Sequence, residues 1–473
     1  MRSVASRRLL VVADSDSYLK WGAALASTLP PGRWRTRVVV VQTPVAPSGR
    51  QLAAALAGTR FAPGDVATVD FAELGDLLDA FAPDAVLLAL RGPFVRVVAP
   101  RILRRPRRPV LLSGFPGLTI PVARKAIVYR EQTDLVVLHS RREVREFTGL
   151  ARILGLRASF GLATLPFLRV RGGLEGAGPT ASDASAGTGG TGLDIVFAAQ
   201  AKVPAELDDR LRLLGWLAEH ARRHPEHRVV VKVRARAGEA QTHAEQYDYG
   251  ELVERLRRSD APPPANLVVE DGPMAAQLRR AGALVTVGST AAIEAVAAGV
   301  PVLLIDEFGV APELINTVFI GSGLFGSADD LVAGRWRRVD PGWRRDNYFH
   351  GDDADDWVQR LEELAAARDG APLPMLPRTR DRAGGALRAA YDRRRMLGRF
   401  DRSFTGRAAM AVGRPARWLV RRFRRIRGAG RRSVEGSGVL GDVPEVGVGV
   451  AQEARALVVG EFAADFRRNP RDE

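Results

Sequence analysis

Short, unbroken apolar runs separated by amphipathic stretches dominate the first third of the chain. Arg8–Ala13 (RLLVVA), Arg37–Val41 (RVVVV), Ala85–Leu90 (AVLLAL), Val110–Leu112 and Leu135–Leu138 (LVVL) are aliphatic and lack polar alternation, the pattern of strands buried on both faces. Between them, Tyr18–Leu29, Gly49–Gly58 and Phe71–Phe81 carry helical spacing. Strands alternating with helices predict a parallel sheet covered on both sides. The alternation stops at 171–192, RGGLEGAGPTASDASAGTGGTG, which is too poor in large apolar side chains to fold alone and reads as a flexible linker. It then restarts: strand Leu193–Ala198, helix Ala205–His220, strand Val229–Val233, helix Gly250–Arg258, strands Asn266–Val269 and Leu284–Val287, a helix from near Ser289, and strand Pro301–Ile305. A helix at Asp355–Ala367 and a basic helical segment at Asp381–Arg399 follow.

This patterning divides the chain into a first domain (1–170), the linker (171–192), a second domain (193–370), a helical extension (371–412) and a basic tail (413–473). The tail is expected to be largely disordered, with one short helix at Ala451–Phe466. The predicted fold class is α/β, with two Rossmann-like, doubly wound parallel-sheet domains facing across a cleft. Ligands of such sheets sit beyond the carboxyl ends of the strands.

Composition supports this size of fold. The chain has 473 residues, 46% of them apolar, enough for two domain cores. No run approaches the roughly 18 apolar residues of a membrane span, and the start MRSVASRRLLVVADSDSY has no long apolar core or small-residue cleavage site. A cytoplasmic enzyme is therefore expected. Cysteine is absent, which removes disulfides, thiolate nucleophiles and Cys-based metal sites.

The net charge of +16 changes the picture less than it first suggests. Only Lys20, Lys125, Lys202 and Lys232 are lysines among 70 basic residues, an arginine skew that a GC-rich genome produces without functional selection. Nine arginines fall in Arg414–Arg432, with no acid among them, so one short segment carries more than half of the excess. No specific nucleic-acid partner is expected. That segment also sets Trp418, Leu419, Phe423 and Ile426 among its arginines, a cationic amphipathic pattern that suits an anionic membrane surface and would place the protein peripherally on the inner face. A passive, solvated tail is the competing reading.

The sharpest chemical signal is Leu284–Ile305, LVTVGSTAAIEAVAAGVPVLLI. It reads as strand, Gly-Ser-Thr turn, Ala-rich helix, Gly stop and next strand. Gly288 permits the turn, Ser289 or Thr290 caps the helix, and the first N–H groups make a pocket for phosphate. Glu294, one turn further in, can accept hydrogen bonds from a ribose hydroxyl. A plain βαβ unit with an ordinary cap is the alternative. In the first domain Asp14 and Asp16 follow the first strand, where a general base would meet an acceptor hydroxyl; Asp16 is the first choice, and an Asx-type turn is the alternative. Gly114-Phe115-Pro116-Gly117 is suited to close backbone approach.

The residues Gly288, Ser289, Thr290, Glu294, Ala295, Gly299 and Pro301 resemble the donor-binding signature of GT-B glycosyltransferases. The chain is most similar to an uncharacterised actinobacterial group of such enzymes, and more remotely to capsule-type polysialyltransferases and CDP-glycerol glycerophosphotransferases. The resemblance covers about residues 7–365. It implies a GT-B-like fold and transfer of a sugar from a nucleotide donor to a hydroxyl or lipid-linked glycan acceptor in cell-surface polysaccharide or glycolipid synthesis. The nucleotide sugar would be a co-substrate, with no resident cofactor. The donor phosphate is expected at Ser289 and Thr290 and the ribose at Glu294. Lys232 or Arg234 would steady the leaving group, and Asp306, Glu307 and Asn316 would line the donor. No metal is expected, since no Asp-x-Asp stands at a strand end of the second domain. His220 and His224 have metal-ligand spacing but read as a surface helix end without a third ligand.

No Gly-x-Ser-x-Gly elbow or Walker loop occurs, and no Gly-x-Gly-x-x-Gly follows a predicted strand, so serine hydrolysis, P-loop chemistry and hydride transfer lose support. A nucleotide-sugar 2-epimerase of the same fold is the enzymatic rival. A non-catalytic nucleotide-sugar sensor or membrane-surface scaffold is the rival from another class.

Overall fold

The computed structural model describes residues 6–169, 194–233, 246–380 and 385–411. The expected linker, Arg234, the Arg414–Arg432 segment and the Ala451–Phe466 helix lie outside the described residues.

The strands are β1 (Arg7–Ala13), β2 (Trp34–Val41), β3 (Val66–Val69), β4 (Ala85–Ala89), β5 (Val110–Gly114), β6 (Leu135–Leu138), β7 (Phe160–Leu162), β8 (Asp194–Ala198), β9 (Arg228–Lys232), β10 (Leu267–Glu270), β11 (Ala281–Thr286), β12 (Val302–Ile305) and β13 (Phe325–Gly326). They form two parallel sheets, ordered β3-β2-β1-β4-β5-β6-β7 and β10-β9-β8-β11-β12-β13. In each, the chain builds outward from the first strand and then reverses, so a crevice opens between β1 and β4 and between β8 and β11. Side-chain alternation fills both faces. Leu9 and Val11 join one core while Leu10 and Val12 join the opposite one, and Ile195 and Val196 divide in the same way. Apolar runs without polar alternation therefore become two-sided strands.

The strands β3, β7 and β13 were not legible as apolar runs. VATV and FGL are short, and β13 has only two residues. The helix expected at Asp355–Ala367 occupies Trp357–Gly370. Sequence continuity places it with the second domain, but its packing does not. Trp357, Leu361 and Ala365 lie in the core of the first sheet, and Arg368 pairs with Asp84 at 2.8 Å. The chain thus crosses back after β13 and straps the two sheets together. Helix Gly385–Leu397 continues on the other face of the first sheet, where Leu397 is buried.

Candidate functional site

The two crevices are built alike. In the first sheet, Asp14 follows β1 and Arg91 follows β4. The Asp14 carboxylate is fully buried and accepts the Arg91 backbone N–H at 3.2 Å and Arg91 Nε at 2.7 Å. Burial raises its carboxyl above the usual range, and Arg91 only partly offsets this. Asp14 therefore fastens β1 to β4, a different task from the acceptor base considered for it. Asp16, half-buried as the first residue of helix Asp16–Ser27, accepts from Ser17 Oγ at 3.4 Å. Of the two carboxylates it is the less buried.

Around Tyr18 lies a cluster centred on Arg130, which the sequence did not single out. Arg130 is 3% exposed. It donates to Ser113 Oγ at 3.1 Å, the Gly114 carbonyl at 2.9 Å and the Tyr18 hydroxyl at 3.2 Å, and it stacks 3.8 Å from the Phe115 ring centroid. Burial lowers its proton affinity and raises the Tyr18 phenol. His139, at the end of β6, accepts from Trp21 Nε1 at 2.7 Å and holds its Nδ1 2.9 Å from the Ala163 carbonyl. A carbonyl can only accept, so Nδ1 carries the proton and the ring is neutral. Burial brings its pKa down to about 4.

In the second sheet the turn after β11 carries the expected signature. Helix Ala291–Ala297 begins there, with Glu294 half-buried on it. The leading amides are not free, however. Gly288 N–H donates to Gln200 Oε1 at 2.9 Å, Ser289 N–H to Thr286 Oγ1 at 3.4 Å and Ala291 N–H to Ser289 Oγ at 3.2 Å. Ser289 supplies the capping oxygen, and Thr290 makes no side-chain cap. Gln200, just beyond β8, is thus the residue the sequence missed. Its signal is positional, since it stands after β8 as Asp14 stands after β1.

Gly288 is required sterically. A Cβ there would lie 2.5 Å from the Leu314 carbonyl oxygen and 2.9 Å from that of Ile315. The loop after β12 therefore presses directly on the turn. Asn316, fully buried, accepts from Ala311 N–H and donates to the Gly309 carbonyl, both at 3.0 Å. Both ends of its amide are spent holding that loop's shape, so its side chain is not available to line a ligand as expected. Asp306 is half-buried at the loop's start, and Glu307 Oε1 accepts from Ala328 N–H at 2.9 Å. Lys232 ends β9 in register with Ala198 and Glu270, and is 8% exposed.

Contacts hold the two units face to face. A Cβ on Gly117 would lie 3.5 Å from the Thr290 methyl, which brings the Gly-rich loop after β5 onto the signature turn. Thr317 Oγ1 donates to the Ile120 carbonyl at 3.4 Å. Arg50 meets Asp271 at 3.6 Å, and Arg145 grips Asp346 at 2.5 Å and 2.7 Å. Glu143, 1% exposed, accepts from Thr119 Oγ1 at 2.7 Å, His139 N–H at 2.8 Å and the Tyr348 hydroxyl at 2.9 Å. Burial pushes both the Glu143 carboxyl and the Tyr348 phenol up.

Two doubly wound parallel sheets with facing switch points define the GT-B architecture. The family described as "Putative glycosyltransferase (DUF6716)" matches residues 9–364, and the chain belongs to it. No curated protein matches. Among solved structures, the chain is similar to a "putative UDP-N-acetylglucosamine 2-epimerase" from Listeria monocytogenes, at 12% identity over 77% of this chain and 96% of that one, with TM-score 0.49. It is also similar to Phytolacca americana UGT2 complexed with UDP-2fluoro-glucose and pterostilbene, at 11% identity, 77% and 95% coverage and TM-score 0.43. The Neisseria meningitidis UDP-GlcNAc 2-epimerase bound to UDP-GlcNAc aligns at 10% identity, 76% and 94% coverage and TM-score 0.43. Likenesses this distant assign no residue, and the architecture rests on the two sheets themselves. Among the described residues, no helix is long and apolar enough to cross a membrane.

Proposed function

We propose that this chain transfers a sugar from a nucleotide-activated donor, held at the β8/β11 crevice, to a hydroxyl acceptor presented from the β1/β4 side. The observation that carries this reading is the apposition of Gly117 and Thr290, which sets the signature turn of one unit against a strand-end loop of the other. The donor phosphate is placed at Ser289 and Thr290, where Gln200 yields the Gly288 amide to it. Glu294 is assigned to the ribose. Lys232 and Arg234 offset charge on the departing phosphate, and Asp16 takes the acceptor proton. Catalysis is then positioning and electrostatic relief of the leaving group, with no resident cofactor or metal in the step. The acceptor is assigned to the hydroxyls of surface or lipid-linked glycans, and the Arg414–Arg432 segment to an anionic membrane surface.

Thermal-shift screening against UDP, GDP, CMP and CDP sugars tests the donor site. A ligand at 100 times its Kd adds about 2.7 kcal/mol of stability. Ser289→Ala and Glu294→Ala should each weaken the nucleotide that scores by about 10-fold or more, the loss of one charge-assisted hydrogen bond. Unchanged affinity in both would remove the assignment. Consumption of the sugar nucleotide without any acceptor would favour the epimerase reading.

A further inference from the structure

The far end of the second sheet holds a different kind of chemistry. Helix Leu207–Arg223 ends at the amino end of β9, and the chain turns through His224-Pro225-Glu226-His227 into that strand. Sequence spacing offered His220 and His224 only; the turn adds a carboxylate and a third imidazole. His224 Nδ1 lies 3.4 Å from Glu226 Oε1, and His227 Nε2 lies 3.8 Å from the same oxygen. The three candidate ligand atoms all lie within 4.8 Å of one another.

These separations have a simple geometric meaning. Zinc bonds nitrogen and carboxylate oxygen at about 2.0–2.2 Å in tetrahedral sites, which puts neighbouring ligand atoms about 3.3–3.5 Å apart. The Glu226–His224 edge already has that length, and the Glu226–His227 edge exceeds it by a few tenths of an ångström. The side chains of His224, Glu226 and His227 are 28%, 57% and 23% exposed, so an ion can enter and a water can take the fourth position.

His220 sets the tautomer of the site. Fully buried, it places Nδ1 3.4 Å from the Val332 carbonyl and Nε2 3.1 Å from His227 Nδ1. The carbonyl must accept, so His220 protonates Nδ1 and offers a lone pair at Nε2. His227 then donates from Nδ1 and leaves Nε2 bare, turned toward Glu226. That is the arrangement in which an outer hydrogen bond orients a metal-ligating imidazole. Arg222 and Arg223, on the same helix end, are both engaged by Glu219.

We propose that His224, Glu226 and His227 bind a divalent transition-metal ion, zinc by ligand chemistry, with His220 as the positioning residue behind them. The site pins the end of the helix to the start of β9. Lys232 stands at the other end of that strand, about 13 Å away at 3.3 Å per residue, so the metal is remote from the donor crevice and takes no part in transfer.

The test uses the full, untagged chain, stripped with chelator and titrated with Zn²⁺ by calorimetry and with Co²⁺ by visible absorbance. The expected result is one ion per chain with Kd in the micromolar range or tighter, and the intense Co²⁺ bands of four-coordination. His224→Ala and His227→Ala should each weaken binding by about 100-fold or more, and Glu226→Gln and His220→Gln by about 10-fold or more. Zn²⁺ should raise the Tm of the parent protein and not that of His224→Ala, whose partly exposed side chain can be removed without emptying a core. Binding weaker than about 1 mM, or full-affinity binding retained in the His224→Ala/His227→Ala double variant, overturns the proposal.

Discussion

Acid should unfold this protein partly through His139, and the size of the effect can be worked out in advance. The imidazole ordinarily titrates near 6.5; in the folded chain burial holds it near 4, with His350 adding to the depression and Asp355 and the Ala163 carbonyl opposing it. Above pH 6.5 the ring is neutral in both states and stability is undiminished. Between 6.5 and 4 the unfolded chain binds a proton that the folded one refuses, so stability falls as pH falls, by about 1.36 kcal/mol per pH unit. The full loss is about 3 kcal/mol, complete below the folded pKa. Asp14 and Glu143 act in the opposite sense, because burial lets the folded state protonate their carboxyls first. A variant comparison isolates the histidine. His139→Gln keeps an acceptor for Trp21 Nε1 and a donor for the Ala163 carbonyl but cannot titrate. Urea unfolding of both proteins from pH 7.5 to pH 4 should therefore show the stability difference shifting by about 3 kcal/mol in favour of the glutamine. A flat difference across that range would refute the buried, neutral ring.

Three further outcomes follow from the geometry. Gly288→Ala forces a Cβ against the Leu314 and Ile315 carbonyls; it should destabilise by about 1–3 kcal/mol and weaken nucleotide binding more than Ser289→Ala does, as read by thermal shift with and without ligand. Tyr348→Phe removes one charge-assisted hydrogen bond from Glu143 between the two units and should cost about 1.5–3 kcal/mol in urea titration. Trp357→Ala empties a buried site in the first core and should cost about 3–5 kcal/mol, with near-UV circular dichroism and tryptophan fluorescence separating into two transitions as the first unit loosens before the second.

Fold class was legible because two-sided burial writes itself as uninterrupted Val and Leu, as in β1, β2, β4 and β12, and because the helix at 291–297 is bracketed by Gly288 and Gly299. The crossing helix Trp357–Gly370 was legible as a helix but not as a part of the first core. Its partners lie some two hundred residues earlier, as in the Leu162 N–H bond to Asp356 Oδ1 at 2.7 Å, and no local period encodes them. The donor signature was legible as residue types. The state of its amides was not, since Gln200 reaches the turn from the end of β8, 88 residues earlier, which only the sheet order brings alongside it. Asn316 shows the converse. Its type suggested ligand contact, and the structure gives it to the backbone of its own loop.

The self-satisfied turn has a consequence for how the donor is recognised. Buried amides without partners are costly, so a phosphate site that stood open in a water-poor cleft would tax the free protein. Here Gln200, Thr286 and Ser289 fill that role, and on the proposed donor placement a phosphate would replace a neutral amide oxygen by a charged one to gain the Gly288 N–H. The gain is the difference between two hydrogen bonds rather than one whole bond, and it favours anions over neutral ligands. The Leu314–Ile315 backbone, pressed against Gly288, couples the exchange to the loop that Asn316 shapes. On the proposed donor placement, selectivity for a charged leaving group would reside in these resting hydrogen bonds, with Gln200 the point at which it is set.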